Sequence, residues 1–494
     1  MNHVAAGSLL FLASAIACGS AATPSTSVPD HTAEGDAGGV AARPDARSDS
    51  SRGPSKDAAP GASYPAGAHI GTDPQQSGDA AAGYTALVNN GYIGCGIPYS
   101  LYEQYFGAAP ASSIIPGRTG HNATLPYNYT AFVAESGVEL VTENCLTCHA
   151  SAINGQLVVG LGAAAADFTK SLAAYAAAAG GAITDPTEHA EWAKWNDRVQ
   201  AISPYVVTKT VGQNPADNLA AVLFAHRDAN TLAWSDTPLL PLPAADVVPV
   251  HVPPWWRMKK KNAMFYNASG RGDHARIMMT ASTLCTDSVP QAEAIDAYFP
   301  DIEAYIASIP PPRYPFPIDQ AKAAAGHDVF AVTCAACHGT YDGTGTYPNL
   351  VFKTEDVGTD STLATSSEFA HASVNWFNTS WYGTTAHLDP QPGYVAPPLD
   401  GIWSTAPYLH NGSVPTIGSL LDSKTRPALW TRTFSSTDYD RTNLGWNFTS
   451  VAAGQNGADV YDTTQFGSSN AGHTYGDALS DGDRAAVLEY LKTL

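Results

Sequence analysis

Two five-residue stretches, Cys145-Leu-Thr-Cys148-His149 and Cys334-Ala-Ala-Cys337-His338, constrain this chain more than anything else in it. A cysteine pair three positions apart, with histidine directly after the second, is the attachment pattern for c-type haem. On one helical turn residues i and i+3 share a face, so both sulfurs reach the two vinyl groups of one porphyrin. The adjacent histidine then lies under the iron, where a neutral imidazole is an ordinary axial donor. A zinc ribbon would need its second cysteine pair within ~15–20 residues of the first, and these pairs are far more widely separated. A thioredoxin-type pair needs a βαβ context and no trailing histidine. The two matches take four of the seven cysteines. Two covalently bound haem c groups are therefore expected, on Cys145, Cys148 and His149 and on Cys334, Cys337 and His338.

The chain has 494 residues and a formal charge of −20. That length allows two or three domains. The charge argues against nucleic acid and suits a cationic redox partner protein. Residues 1–18 carry a signal-peptide-like apolar run ending in Ala15-Ile16-Ala17. Cys18 follows at the position where a lipoprotein bears its lipid; ordinary cleavage after Ala17 would leave a thiol there. Beyond this run no stretch is long and apolar enough to span a bilayer, so membrane attachment is expected only through a lipid anchor. Haem c is attached outside the cytoplasm in bacteria, so export to the periplasm or cell envelope is expected. Residues 19–79 are rich in Ala, Gly, Pro, Ser and Asp and poor in aromatics. Such a composition buries too little apolar surface to offset ordering entropy and predicts a disordered tether.

The rest reads as one plan used twice: a haem domain over 80–311 and another over 312–494, divided at Pro310-Pro311-Pro312. The expected fold is mainly α, two tandem class I cytochrome c-like domains with long loop-rich insertions. Gly137 precedes Cys145 by the same number of positions as Gly326 precedes Cys334. Each unit closes on an amphipathic helix, with Tyr305, Ile306 and Ile309 matching Tyr490, Leu491 and Leu494 in spacing. The pattern predicts a crossing of the glycine-bearing helix over the closing helix, Gly137 and Val141 against Tyr305 and Gly326 and Phe330 against Tyr490. Further helices are expected over 163–178, 187–202 and 214–224. Cys95 and Cys285, an even remainder in an exported chain, suggest a disulfide, with two separate buried thiols as the alternative.

The sixth iron position separates electron transfer from small-molecule chemistry. The second unit contains no methionine, so its distal ligand is sought among histidines, His473 before His410. For the first haem the candidates are His226, His251, His274 or no protein ligand. The stretch Pro253-Pro-Trp-Trp256-Arg-Met-Lys-Lys-Lys261 offers tryptophans to cover a pocket or carry an electron, and cations to pair with haem propionates.

These residues resemble the bacterial dihaem cytochrome c peroxidase/MauG superfamily, through the paired motifs and Ala406-Pro-Tyr-Leu-His410-Asn-Gly-Ser-Val-Pro-Thr416. The methionine ligand of the peroxidases has no counterpart near Lys424, which argues against ordinary peroxidase function. The chain is more similar to the rubber oxygenases, dihaem dioxygenases that cleave poly(cis-1,4-isoprene). The shared stretches are PPWWRMKKK, GRGDHAR, GHTYG and Asn154-Gly-Gln-Leu-Val-Val-Gly160-Leu-Gly after the first motif. The resemblance implies O2 binding opposite His149 and a bis-histidine second haem on His338 and His473. It also implies a tryptophan near the active haem at Trp256, and calcium between the domains. Implied partners are O2 or H2O2 and an unsaturated hydrocarbon. A non-catalytic dihaem electron carrier and a cytochrome c peroxidase remain the alternatives.

Overall fold

The computed structural model describes residues 66–369 and 371–494. The expected signal peptide, Cys18 and most of the expected tether lie outside them. Helix covers 39% and strand 13%, so the fold is mixed helix and strand, not mainly α as the sequence suggested. The additional strands are two to five residues long and come mostly from the loop-rich insertions.

Four helices frame the molecule: α1 (Ala80–Asn89), α2 (Phe299–Ser308), α3 (Gln320–Thr333) and α4 (Asp481–Leu491). Three begin on side-chain caps. Asp79 accepts the Ala81 and Ala82 N–H groups, Asp319 accepts that of Lys322, and Ser480 that of Asp483. Each cap satisfies donors that have no partner inside the helix.

α1 crosses α2 and α3 crosses α4 at backbone contact. A Cβ on Gly83 would overlap the Asp301 carbonyl, and one on Gly326 would overlap that of Ala486. Only glycine permits this approach. The surrounding contacts correspond pair by pair. Leu87 and Phe330 are buried four residues after their glycines. Tyr84 meets Tyr305 at 5.0 Å between ring centres, as His327 meets Tyr490 at 5.3 Å. Phe330 packs on Tyr490 at 5.1 Å, the contact expected for the second unit.

In the first unit the expected crossing is corrected. Gly137 sits at φ +85° in the turn of a hairpin, with Tyr129–Val133 paired to Glu139–Glu143. Val141 is a buried strand residue facing Ala131 and Ile97. The β-branched run around it favours an extended chain, and Glu135-Ser-Gly137 supplies the turn. The crossing glycine is Gly83, and a small sheet separates its helix from Cys145. The three helices expected within the first insertion are observed as Ala173–Gly180, Pro186–Ile202 and Ala216–Ala225, and the insertion also holds His274–Met278 and Val289–Asp296. The first is shorter than expected: Asp167 ties down the Thr169 N–H and hydroxyl and holds that segment outside the helix.

One apolar core runs through both units, joining Leu87, Phe299 and Ile302 to Phe330, Val487 and Tyr490. Cys95 and Cys285 are disulfide-bonded, Cα–Cα 5.7 Å. The last part of the expected tether is packed. Strand β1 (Ala68–His69) pairs antiparallel with β2 (Leu350–Lys353), which also pairs with β3 (Gly393–Val395). Ile70 is buried, and Gln75 and Gln76 bond to Gly272, His274 and Asp273.

Because both crossings lack room for a methyl group, Gly83→Ala and Gly326→Ala should each destabilise the fold by about 1–3 kcal/mol or more. Thermal unfolding checks this, with Gly71→Ala, where nothing stands near an added Cβ, as the control that should change little.

Candidate haem-binding sites

The second motif follows directly from α3. The Cys334 N–H caps onto the Phe330 carbonyl, and a single turn, Ala335–His338, carries the motif. The N–H groups of Cys337 and His338 donate back to the Cys334 carbonyl at 3.2 and 3.0 Å, so one turn presents both thiols and the imidazole. His338 Nδ1 lies 2.8 Å from the Pro397 carbonyl. A carbonyl only accepts, so Nδ1 carries the proton and Nε2 keeps its lone pair, the arrangement of a metal-ligating histidine held from behind.

His473 approaches from the loop before α4, at φ +46°. Its N–H donates to Val357 and its carbonyl accepts Arg426 Nη2. A Cβ on the preceding Gly472 would collide with the Gly358–Thr359 backbone. The His473 ring stands 6.1 Å, centre to centre, from that of His338. This leaves room for one metal ion bonded to a nitrogen of each ring at about 2 Å. Burial, then the neighbouring His338, pushes His473 down to about 3, and burial also lowers His338. Both imidazoles are therefore neutral and able to donate a lone pair.

The first motif is delivered by a strand. After Glu139–Glu143, Asn144 caps the turn Leu146–His149 through the Leu146 N–H, and the Cys145 N–H donates to the Tyr92 hydroxyl at 2.7 Å. Asn214 Nδ2 lies 3.1 Å from Cys148 Sγ. The His149 ring stacks on Trp255, 4.7 Å between centres and 22° between planes. Burial pushes it down to about 3, with the Pro253 carbonyl acting in the opposite sense. Among the described residues no imidazole ring contacts that of His149.

All four motif cysteines carry free, half-buried thiols. Burial pushes Cys148 and Cys334 up to about 12, and raises Cys145 and Cys337. A reactive redox dithiol needs the opposite shift. Among the described residues no group of three or more His, Cys, Asp or Glu side chains could hold a bare metal ion, and the expected calcium finds no such ligand set there. Paired thiols with a lone-pair imidazole behind them fit a thioether-linked haem.

The other candidates fall elsewhere. Trp256 is fully buried, but its Nε1 donates to the Asp400 carbonyl of the second unit at 2.8 Å. The ring on His149 belongs to its neighbour Trp255. His410 stacks on Tyr394 at 4.1 Å. His226 is held by the Ser235 carbonyl and stacked on Trp234. His274 faces Glu303, Nδ1 to Oε1 3.7 Å.

One feature escaped the sequence reading. Val252-Pro253-Pro254 and Ala396-Pro397-Pro398 are similar in sequence, and the Pro397 carbonyl holds His338, while His149 Nδ1 has no hydrogen-bond partner and feels the Pro253 carbonyl only electrostatically. The repeated dipeptide downstream of each motif was the available signal.

Residues 393–431, which include the Pro397 loop and the segment around His410, match a family model described as "RoxA-like, cytochrome c-like". The match supports a cytochrome c-type domain related to the rubber oxygenases and implies covalently bound haem c. The chain is 27% identical over 326 residues to the uncharacterized protein y4iM of Sinorhizobium fredii, covering 56% of this chain and 71% of that protein. It is 42% identical over 112 residues to the uncharacterized protein y4iJ of the same organism, covering 20% of this chain and 18% of that protein.

The buried Glu303 yields a pH prediction. Burial, reinforced by Asp273, pushes its carboxyl up to about 7. A folded-state value above the unfolded one favours the protonated form in the fold. Stability should therefore fall as pH rises from the ordinary glutamate range toward 7. Glu303→Gln should flatten that slope and make the protein more stable than the parent at pH 8, measured by thermal unfolding across pH.

Proposed function

We propose that the chain is an exported dihaem c-type cytochrome oxidoreductase. In this reading the first site, on His149, binds O2 or peroxide, and the second, on His338 and His473, holds and relays electrons. The observation that carries the reading is the difference between the two imidazoles: His338 has the His473 ring 6.1 Å away, whereas among the described residues no second imidazole contacts His149, whose ring face is stacked on Trp255. When bound, haem c supplies electron transfer where two side chains ligate its iron and small-molecule chemistry where one position is open.

The residues around the motifs divide that work. Cys145 and Cys148, and Cys334 and Cys337, anchor the porphyrins. The Pro397 carbonyl fixes the His338 tautomer. Trp255 orients His149, and Trp256 ties the same turn, Trp255–Lys260, to Asp400 of the second unit, giving a continuous packed connection between the sites. Among the described residues no helix is long and apolar enough to cross a membrane, which is compatible with export, with or without a lipid on Cys18. The resemblance to rubber oxygenases supports, in this reading, an unsaturated hydrocarbon as the substrate class and cleavage by a dioxygenase-type reaction. The net charge of −20 suits a cationic redox partner.

Carbon monoxide tests the reading. The reduced holoprotein should bind one CO per two haems, at the first site, and His473→Ala should open the second site to CO and turn it high-spin. A parent protein in which both haems stay low-spin and refuse CO would be an electron carrier without a catalytic site. Cys145→Ala with Cys148→Ala should abolish O2- or peroxide-dependent turnover and leave the second haem attached.

A further inference from the structure

Arg257 lies in the turn Trp255–Lys260, between the two motifs, and is buried. Both its hydrogen bonds go to neutral acceptors: Nε to the Asp400 carbonyl at 3.0 Å and Nη2 to the Thr405 hydroxyl at 3.4 Å. The nearest acidic side chain, Asp400, is already paired with Lys260 at 2.7 Å. Among the described residues no carboxylate reaches ion-pair distance of the Arg257 guanidinium.

His251 is buried, and after burial itself the guanidiniums of Arg432 and Arg257 are what push it down to about 3. His251 Nε2 has no hydrogen-bond partner, nor has Nε2 of buried His410. The two residues are joined by the His251 N–H to His410 carbonyl bond, 2.7 Å. The charge of Arg257 also reaches His338, depressing its protonation.

A buried charge left without a counter-charge is destabilising, and a buried polar atom without a partner adds to that. A pocket built this way is completed by an anion that the described side chains do not supply. Every haem carries two carboxylates. We propose that Arg257, with the open Nε2 atoms of His251 and His410, is the receptor for haem carboxylate at the junction of the two sites. A fixed positive charge there favours the reduced iron, so Arg257 holds up the reduction potential of the haem on His338. This rests on the two-haem reading above.

The test uses the holoprotein, its haem content counted by pyridine haemochrome and its potentials read by spectroelectrochemical titration. Arg257→Gln should shift the low-spin haem at least about tenfold toward the ferric form, about 59 mV for a one-electron couple. Arg257→Lys, which keeps the charge, should retain most of the parent potential. Unchanged potentials in Arg257→Gln with both haems present would overturn the proposal, as would equal shifts in the two variants. If Arg257→Gln does not retain haem, the resonance Raman propionate bending band of Arg257→Lys decides. A shift from the parent frequency supports the contact and an identical band overturns it. A parent potential that responds to added phosphate or acetate would assign the pocket to a free anion and overturn the proposal. Absence of haem from the parent would instead remove the two-haem reading.

Discussion

The two places where helix backbones touch without intervening side chains set the frame for the rest. At Gly83 on Asp301 and at Gly326 on Ala486 the separation is fixed by the absence of a Cβ, so each pair locks at one depth and angle. In the second unit the consequence is immediate. α3 ends at Cys334, so fixing α3 also fixes where both thiols and His338 face. In the first unit the crossing is the same, but a three-stranded sheet intervenes before Cys145. There the motif is delivered by the strand Glu139–Glu143 and held by Tyr92 and Asn144. Two routes thus bring the same five-residue motif to comparable positions against a closing helix.

The Pro397 carbonyl stands behind His338, whereas His149 Nδ1 has no hydrogen-bond partner, and the ring contacts of the two histidines also differ. His338 meets a second imidazole because Gly472 lets the chain pass against Gly358, and His473 takes a left-handed conformation there. Among the described residues no imidazole contacts His149, whose ring face is stacked on the Trp255 indole. The turn that supplies this indole also carries Trp256, Arg257 and Lys260 to Asp400. Geometry at one site is therefore mechanically coupled to the loop that positions the other. Burial keeps all three imidazoles neutral, so the difference between the sites lies in what faces them and not in their protonation.

Features carried by short spacing, by a repeated pattern or by a small set of candidates were legible in the sequence: the two motifs, the helix Pro186–Ile202, the Gly326–Phe330–Tyr490 contact and the pairing of Cys95 with Cys285. His473 was singled out because few histidines and no methionine compete in its unit, and its ring lies 6.1 Å from that of His338. Features that depend on where an insertion falls were not legible. Gly137 has the spacing of Gly326, yet the residues around it are β-branched and follow a turn signal, and the true counterpart lies upstream at Gly83. The choice between Trp255 and Trp256 depends on the phase of a short 3₁₀ turn, which periodicity over so few residues does not determine. The proline carbonyls were missed because backbone groups leave no side-chain signature.

The short strand β1 has a consequence for where this chain can be shortened. It closes one side of the β1-β2-β3 sheet, covering the main-chain groups of Leu350 and Val351. A protein cut back to Asp79 would keep every helix of the described residues and both cysteine motifs. It would also leave an open edge strand on the second unit, far along the sequence from the cut, ready to recruit another chain.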